Sequence, residues 1–253
     1  MEKVKGAYIF YVFNTLTDRH ITLALNSIAD QQFDIDTFDF IVYNNSNTFD
    51  TQDIVNRAIE ICGNKFRYTI KYVGAYPQTN RTLDDVNHQI NTITGYDFYF
   101  CHKADFVLNI GTINNILKTN SLFEDPYFFG LSKFDLREYV FDEEINELLS
   151  MEFDEIISTG FAADLTGDVD PSLNEYHRYI GYRGWDGTLH FYNDQARKVL
   201  ELDSYIQPYT IEHHQKNKGV LWHYGVKHLL ALHVFHELPG GRNADKDMVG
   251  HRF

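Results

Sequence analysis

The sequence predicts an α/β fold, a mainly parallel β-sheet flanked by helices, on three observations. Short β-rich runs alternate with segments of helical period through the N-terminal part of the chain. The expected strands run out into polar groups at Asn14, at Asn44 to Ser46 and at His102 to Asp105. Hydrophobic residues at 43% and charged residues at 23% of 253 positions are enough to build a sizeable core and exclude wholesale disorder. Strand-helix alternation favours parallel pairing through helical crossovers, with ligands bound beyond the carboxyl ends of the strands.

Residues 8–14 form the first β-rich run, and 18–31 follow with Ile21, Leu25 and Ile28 at helical spacing. Residues 39–43 (DFIVY) are the second strand, leading into Asn44-Asn45-Ser46. Asp50 and Asp53 then open a helix with Ile54, Ala58 and Ile61 on one face. Residues 67–73 read as a third strand. Thr82, with Asp85 three positions on, has the spacing of an N-terminal cap ahead of Val86, Ile90 and Ile93. Residues 96–101 complete the series as a fourth strand.

The middle is less regular: 110–118 reads as a helix, 127–131 as a strand and 141–151 as an acidic helix with a solvated face. Residues 160–187 are rich in Gly, Asp and aromatics, a composition suited to shaped loops over a site. His233 and His236 follow an apolar stretch expected to be helical. No repeat, linker or low-complexity tract divides the chain, so 1–253 is expected to be one domain.

A net charge of −14, from 22 Lys+Arg against 36 Asp+Glu, disfavours non-specific binding to nucleic acid and leaves room for a local basic pocket or a bound metal. No apolar run approaches the roughly 20 residues that span a bilayer, so no membrane span and a cytoplasmic location are expected. Cys62 and Cys101 stand in apolar contexts, as buried thiols rather than a disulfide framework.

Neither G-x-x-x-x-G-K-[ST] nor G-x-G-x-x-G occurs, which argues against a P-loop enzyme and a dinucleotide oxidoreductase. Any bound nucleotide needs another counter-charge, and a carboxylate-held divalent ion could supply it. Asp105, just past the fourth strand, is placed for that role. No H-E-x-x-H marks a metallohydrolase.

Several segments in order resemble the GT-A glycosyltransferases, in particular family-2-like members with a galactosyltransferase-type C-terminal half. RHITLALNSIADQ places Arg19, Leu23, Ser27 and Gln31 near the family's R-x(3)-L-x(2)-S-[IL]-x(2)-Q helix. IVYNNSN supplies Asn44, Asn45 and Ser46 where the family has a polar group that holds the nucleoside. TLDDVNHQINTITGYDFYFCHKADF fits the approach to the D-x-D metal motif, with Asp105 as its last acid and Lys103 in place of the first. YRGWDGTLHFYNDQAR carries Gly184, Trp185, Asp186 and Arg197 in the frame of the acceptor loop, with Gly187 in place of its second acid. LALHVFHELPGGRN presents His233 and His236 where the family has an imidazole that completes the metal site.

The resemblance implies a GT-A (Rossmann-like) fold with residues 1–108 as the nucleotide-binding half. Residues 109–253 would be the half that binds acceptor and completes the metal site. It implies an enzyme that moves a sugar from a nucleotide-sugar donor, a UDP-sugar above others, to the hydroxyl of an acceptor glycan, metabolite, protein or modified nucleobase. Asn14, Asn44, Asn45, Ser46, Lys103 and Arg242 would bind the donor, Gly184 and Trp185 the acceptor, and Asp105, His233 and His236 the metal. Imidazole ligation favours Mn²⁺ over Mg²⁺. Asp186 would take the acceptor proton. Two other classes are a catalytically silent nucleotide-sugar or glycan-binding module and a metal-dependent hydrolase using the His-rich C-terminus, which holds His213, His214, His223, His228, His233, His236 and His251.

Overall fold

A computed structural model describes residues 6–14, 16–66, 82–108, 110–122, 124–136, 162–164, 189–200, 221–233, 237–238 and 242–243. The N-terminal unit is β1 (Gly6–Phe13), α1 (Asp18–Ala29), β2 (Phe38–Asn45) and α2 (Thr51–Cys62). It is followed by α3 (Thr82–Thr92), β3 (Phe98–Lys103), β4 (Phe106–Leu108), α4 (Thr112–Leu122) and β5 (Tyr127–Leu136). Then come β6 (Ala162–Asp164), β7 (Leu189–Asn193), α5 (Asp194–Leu200), β8 (Leu221–His233), β9 (Glu237–Leu238) and β10 (Arg242–Asn243).

β1 is apolar along nearly its whole length because both of its faces are covered. Tyr8, Phe10 and Val12 pack with Ile21, Leu25 and Ile28 of α1, Ile54, Val55 and Ala58 of α2 and Ile113 and Ile116 of α4. Ala7, Ile9 and Tyr11 point the other way, into a cluster with Ile90, Tyr192 and Ala196. The period of two along β1 therefore divides the core into two layers. Asp50 starts α2 as expected, its Oδ1 accepting from the N–H groups of Gln52 at 2.8 Å and Asp53 at 3.2 Å. Gly63 ends that helix at φ +58°, a conformation costly to a side chain.

The sheet order is β2-β1-β3-β7-β5-β8-β4, with β6 paired to β5. β1 pairs in parallel with β2 and β3, and β5 with β8, while β7 joins the two groups antiparallel to both β3 and β5. Five of the eight strands thus run one way, with β4, β6 and β7 reversed. β9 and β10 form a separate antiparallel pair. The fold is mixed α/β and Rossmann-like, as the strand-helix alternation predicts.

Four local readings change. The strand expected at 96–101 is β3, 98–103; Tyr96 precedes it and donates its hydroxyl proton to Asp39 Oδ2 at 2.8 Å. The helix expected at 110–118 runs over 112–122, and the strand expected at 127–131 continues to 136. Residues up to His233 are a strand rather than an apolar helix, because β8 pairs with β5 on one side and β4 on the other, and this non-local pairing overrides the helical preference of its leucines. The expected strand at 67–73 and helix at 141–151 lie outside the described residues, as does most of 160–187, of which only β6 is described. Cys62 and Cys101 are buried thiols outside any disulfide, as expected; burial pushes the Cys62 thiol up to about 12.

Candidate functional site

Three parallel strands, β2, β1 and β3, deliver their carboxyl ends side by side, and the polar residues that follow them make the candidate site. At the end of β1, Asn14 Oδ1 accepts from the backbone N–H of Asn47 at 2.9 Å, fastening one loop to the next. Asn44 shapes the loop beyond β2. Its Nδ2 donates to Phe49 O at 2.8 Å and Thr51 Oγ1 at 3.1 Å, and its Oδ1 accepts from Ser46 N at 2.9 Å. Ser46 Oγ in turn accepts from Thr48 N at 3.0 Å. Expected as donor ligands, Asn14, Asn44 and Ser46 are thus engaged in setting the form of the loops.

Asn45 faces inward. Its Nδ2 donates to Asp85 Oδ2 at 2.7 Å, and its Oδ1 is buried with no hydrogen-bond partner. Tyr11 of β1 donates its hydroxyl proton to the same Asp85 oxygen, and Tyr43 of β2 reaches Asp85 Oδ1 at 3.4 Å. The Tyr43 hydroxyl also lies 3.1 Å from His88 Nδ1. Burial, reinforced by the adjacent Asp85 charge, holds both phenols well above their ordinary range, so they stay protonated and act as donors. Asp85, expected as the companion of a helix cap, is 1% exposed and binds side chains from β1 and β2. Tyrosines near the ends of two adjacent strands were the available signal; the distant acid that joins them left none in local spacing.

At the end of β3, Lys103 and Asp105 form an ion pair of 3.0 Å in which both side chains are nearly covered, 10% and 1% exposed. The Lys103 ammonium also lies 4.3 Å from the centre of the Phe13 ring, at the end of β1. The turn between the two residues is fixed by Ala104, whose N–H donates to Tyr11 O at 2.9 Å. Beside it, His102 is fully buried. Its Nε2 lies 2.8 Å from the Phe106 carbonyl and so carries the proton, which leaves Nδ1 to accept from the Tyr8 hydroxyl at 2.6 Å. Burial holds this imidazole down to about 4, so it is neutral and structural.

Of the other expected site residues, His233 ends β8 in register with Phe106, which puts its backbone next to the Lys103–Asp105 turn. Arg242 is in β10, paired with Leu238. Gly184, Trp185, Asp186 and His236 lie outside the described residues. Ser27 and Gln31, from the first motif, are joints: Ser27 Oγ accepts from Leu108 N at 3.0 Å and Gln31 Oε1 from Ile113 N at 3.1 Å, tying α1 to β4 and to the start of α4. No group of three or more His, Cys, Asp or Glu suited to a metal ion occurs among the described residues. Among the same residues no helix is long and apolar enough to cross a membrane.

No family model matches the chain, and no curated protein matches it. Solved structures do. The mannosyltransferase PcManGT from Pyrobaculum calidifontis, in complex with GDP-Man and Mn²⁺, superposes with a TM-score of 0.52 at 12% identity, over 95% of this chain and 59% of that one. S. aureus TarS 1–349 gives 0.51 at 13% identity, over 91% of this chain and 60% of that one. The chain thus spans about three-fifths of each of these two structures, and its match to other TarS structures covers as little as 36% of theirs. At such identities the likeness is one of fold alone: the chain shares the α/β fold of these two structures.

Proposed function

We propose that the protein is a glycosyltransferase that binds a nucleotide-sugar at the carboxyl ends of β1, β2 and β3 and passes the sugar to an acceptor hydroxyl. The observation that carries this reading is the convergence of Asn14, Asn45 and the Lys103–Asp105 pair at those three strand ends, in a fold shared with PcManGT and TarS. A UDP-sugar is the first donor to test and a GDP-sugar the second. Residues 1–253 are taken as one domain, with the nucleotide half at 1–108 and the acceptor half at 109–253. Arg242 is assigned to the donor phosphates and Gly184 and Trp185 to the acceptor.

The chemistry proposed is a single balanced exchange. The bond from the anomeric carbon to the donor diphosphate breaks and its electron pair leaves on the phosphate oxygen. The acceptor oxygen bonds to the anomeric carbon, and its proton passes to the Asp186 carboxylate. Asp105, His233 and His236 are the residues expected to hold a divalent ion, and the register beside Asp105 brings the His233 backbone near. The described residues do not fit a metal, however, since Asp105 engages a buried ammonium through Oδ2 at 3.0 Å and no group of three or more His, Cys, Asp or Glu suited to an ion occurs among them. No step is therefore routed through an ion.

The test is release of nucleoside diphosphate from a panel of UDP- and GDP-sugars in the presence of candidate acceptors, with sugar transfer followed by mass spectrometry. Product with one donor class supports the reading. Binding without product assigns the chain to a silent nucleotide-sugar-binding module, an alternative favoured by Lys103 standing where an acid is expected.

A further inference from the structure

Resting on the donor-binding reading above, we propose that Lys103 is the built-in cation of the diphosphate subsite, supplying the positive charge that a divalent ion would otherwise bring. Lys103 is the last residue of β3, and the sheet sets it beside the end of β1, at the edge where a ligand of this fold enters. Its ammonium is held from two sides, by Asp105 at 3.0 Å and by the Phe13 ring at 4.3 Å. Its position is thus set before any ligand arrives.

A surface lysine offers a mobile, hydrated charge worth little to a ligand, whereas a lysine withdrawn from water and fixed in place acts with less screening. The pair also gives the acid a role beside the base. Asp105 keeps the buried ammonium charged and aimed, a duty that engages Oδ2 of the carboxylate a metal would need. As the donor bond breaks, negative charge grows on the leaving diphosphate oxygens. An ammonium donates hydrogen bonds to them directly and gives up no proton in doing so.

The deciding experiment is calorimetric titration of the full chain with UDP, GDP and the parent nucleosides, in chelator and again in manganese. The expected result is diphosphate binding of equal affinity, within about twofold, in both conditions. Lys103→Met should weaken diphosphate binding by about tenfold or more while leaving nucleoside binding unchanged, and Lys103→Arg should restore most of it. Should the single variant fail to fold because Asp105 is left unpaired, Lys103→Met/Asp105→Asn removes both charges together and should show the same selective loss. Diphosphate binding that appears only with manganese overturns this inference and leaves the transferase reading standing. So does full affinity in the Lys103→Met or the double variant. Absence of any nucleotide binding in either condition overturns both.

Discussion

Asn45 donates through Nδ2 to Asp85 Oδ2 at 2.7 Å, and this bond ties the end of β2 to the first turns of α3. A carboxylate only accepts, so the amide is forced to turn its NH₂ inward. With the Tyr11 and Tyr43 hydroxyls on the same carboxylate, one acid organises side chains from two strands.

Removing that acid should therefore cost much more than a surface change. Asp85→Ala leaves Tyr11 and Asn45 without their acceptor, Tyr43 keeping His88 within reach, and is expected to lower stability by about 2–6 kcal/mol, each buried group contributing about 1–3 kcal/mol. Asp85→Asn, which keeps one carbonyl acceptor, should lose less. Urea denaturation of the two variants measures both, and a loss below about 1 kcal/mol for the alanine variant would show that the cluster does not hold α3 in place.

A pH dependence follows from His102. Its folded pKa is depressed to about 4 by burial, against 6.5 when exposed, so the unfolded chain takes up a proton that the folded one refuses. The stabilisation is fully present above pH 6.5 and is lost as pH falls from there through about 4, by on the order of 3 kcal/mol in all. His102→Gln does not titrate and should flatten this part of the profile. Denaturation midpoints between those limits, compared with the parent chain, test it: equal slopes would remove His102 as the source.

Gly6 opens β1 where two rings converge. A Cβ built there would lie 2.6 Å from the Phe98 ring and 2.9 Å from Phe38 Cδ1. Gly6→Ala should cost about 1–3 kcal/mol as the rings are pushed aside. Phe98→Leu in the same background should recover part of that loss, and a thermal melt of the two chains reads the difference.

Asp186 carries the chemical prediction. Asp186→Asn keeps the size of the side chain and removes the proposed base, so kcat should fall by roughly 10²–10⁴ with donor affinity nearly unchanged. An unchanged kcat would make it a turn residue and send the search for the base to Asp164, Asp168 or Asp170.

What could be read from sequence was what local pattern encodes. The alternating faces of β1 and the Ile21, Leu25 and Ile28 stripe of α1 follow from periods of two and of 3.6, and Asp50 announces its helix by cap chemistry alone. The C-terminal strand was hidden because β8 owes its form to partners far away in sequence, Phe106 and Tyr127 among them. At the site, Lys103 and Asp105 stood out through their place after a strand. Asp85 did not, since three residues after a threonine an acid reads equally well as a cap or as a distant partner.

Ala104 and Asp105 alone connect β3 to β4, yet β7, β5 and β8 all lie between those two strands in the order of the sheet. The sheet must curl so far that its last strand returns beside its third, and the latch for that closure, β8, is made well after the strand it covers. A nascent chain can complete β1, α1 and β2 from neighbouring segments soon after they emerge, whereas β4 waits with an open edge until residues 221–233 are available. Completion of this edge therefore waits on residues 221–233, and a chain cut short before Leu221 would carry the first helices and strands with β4 unpaired.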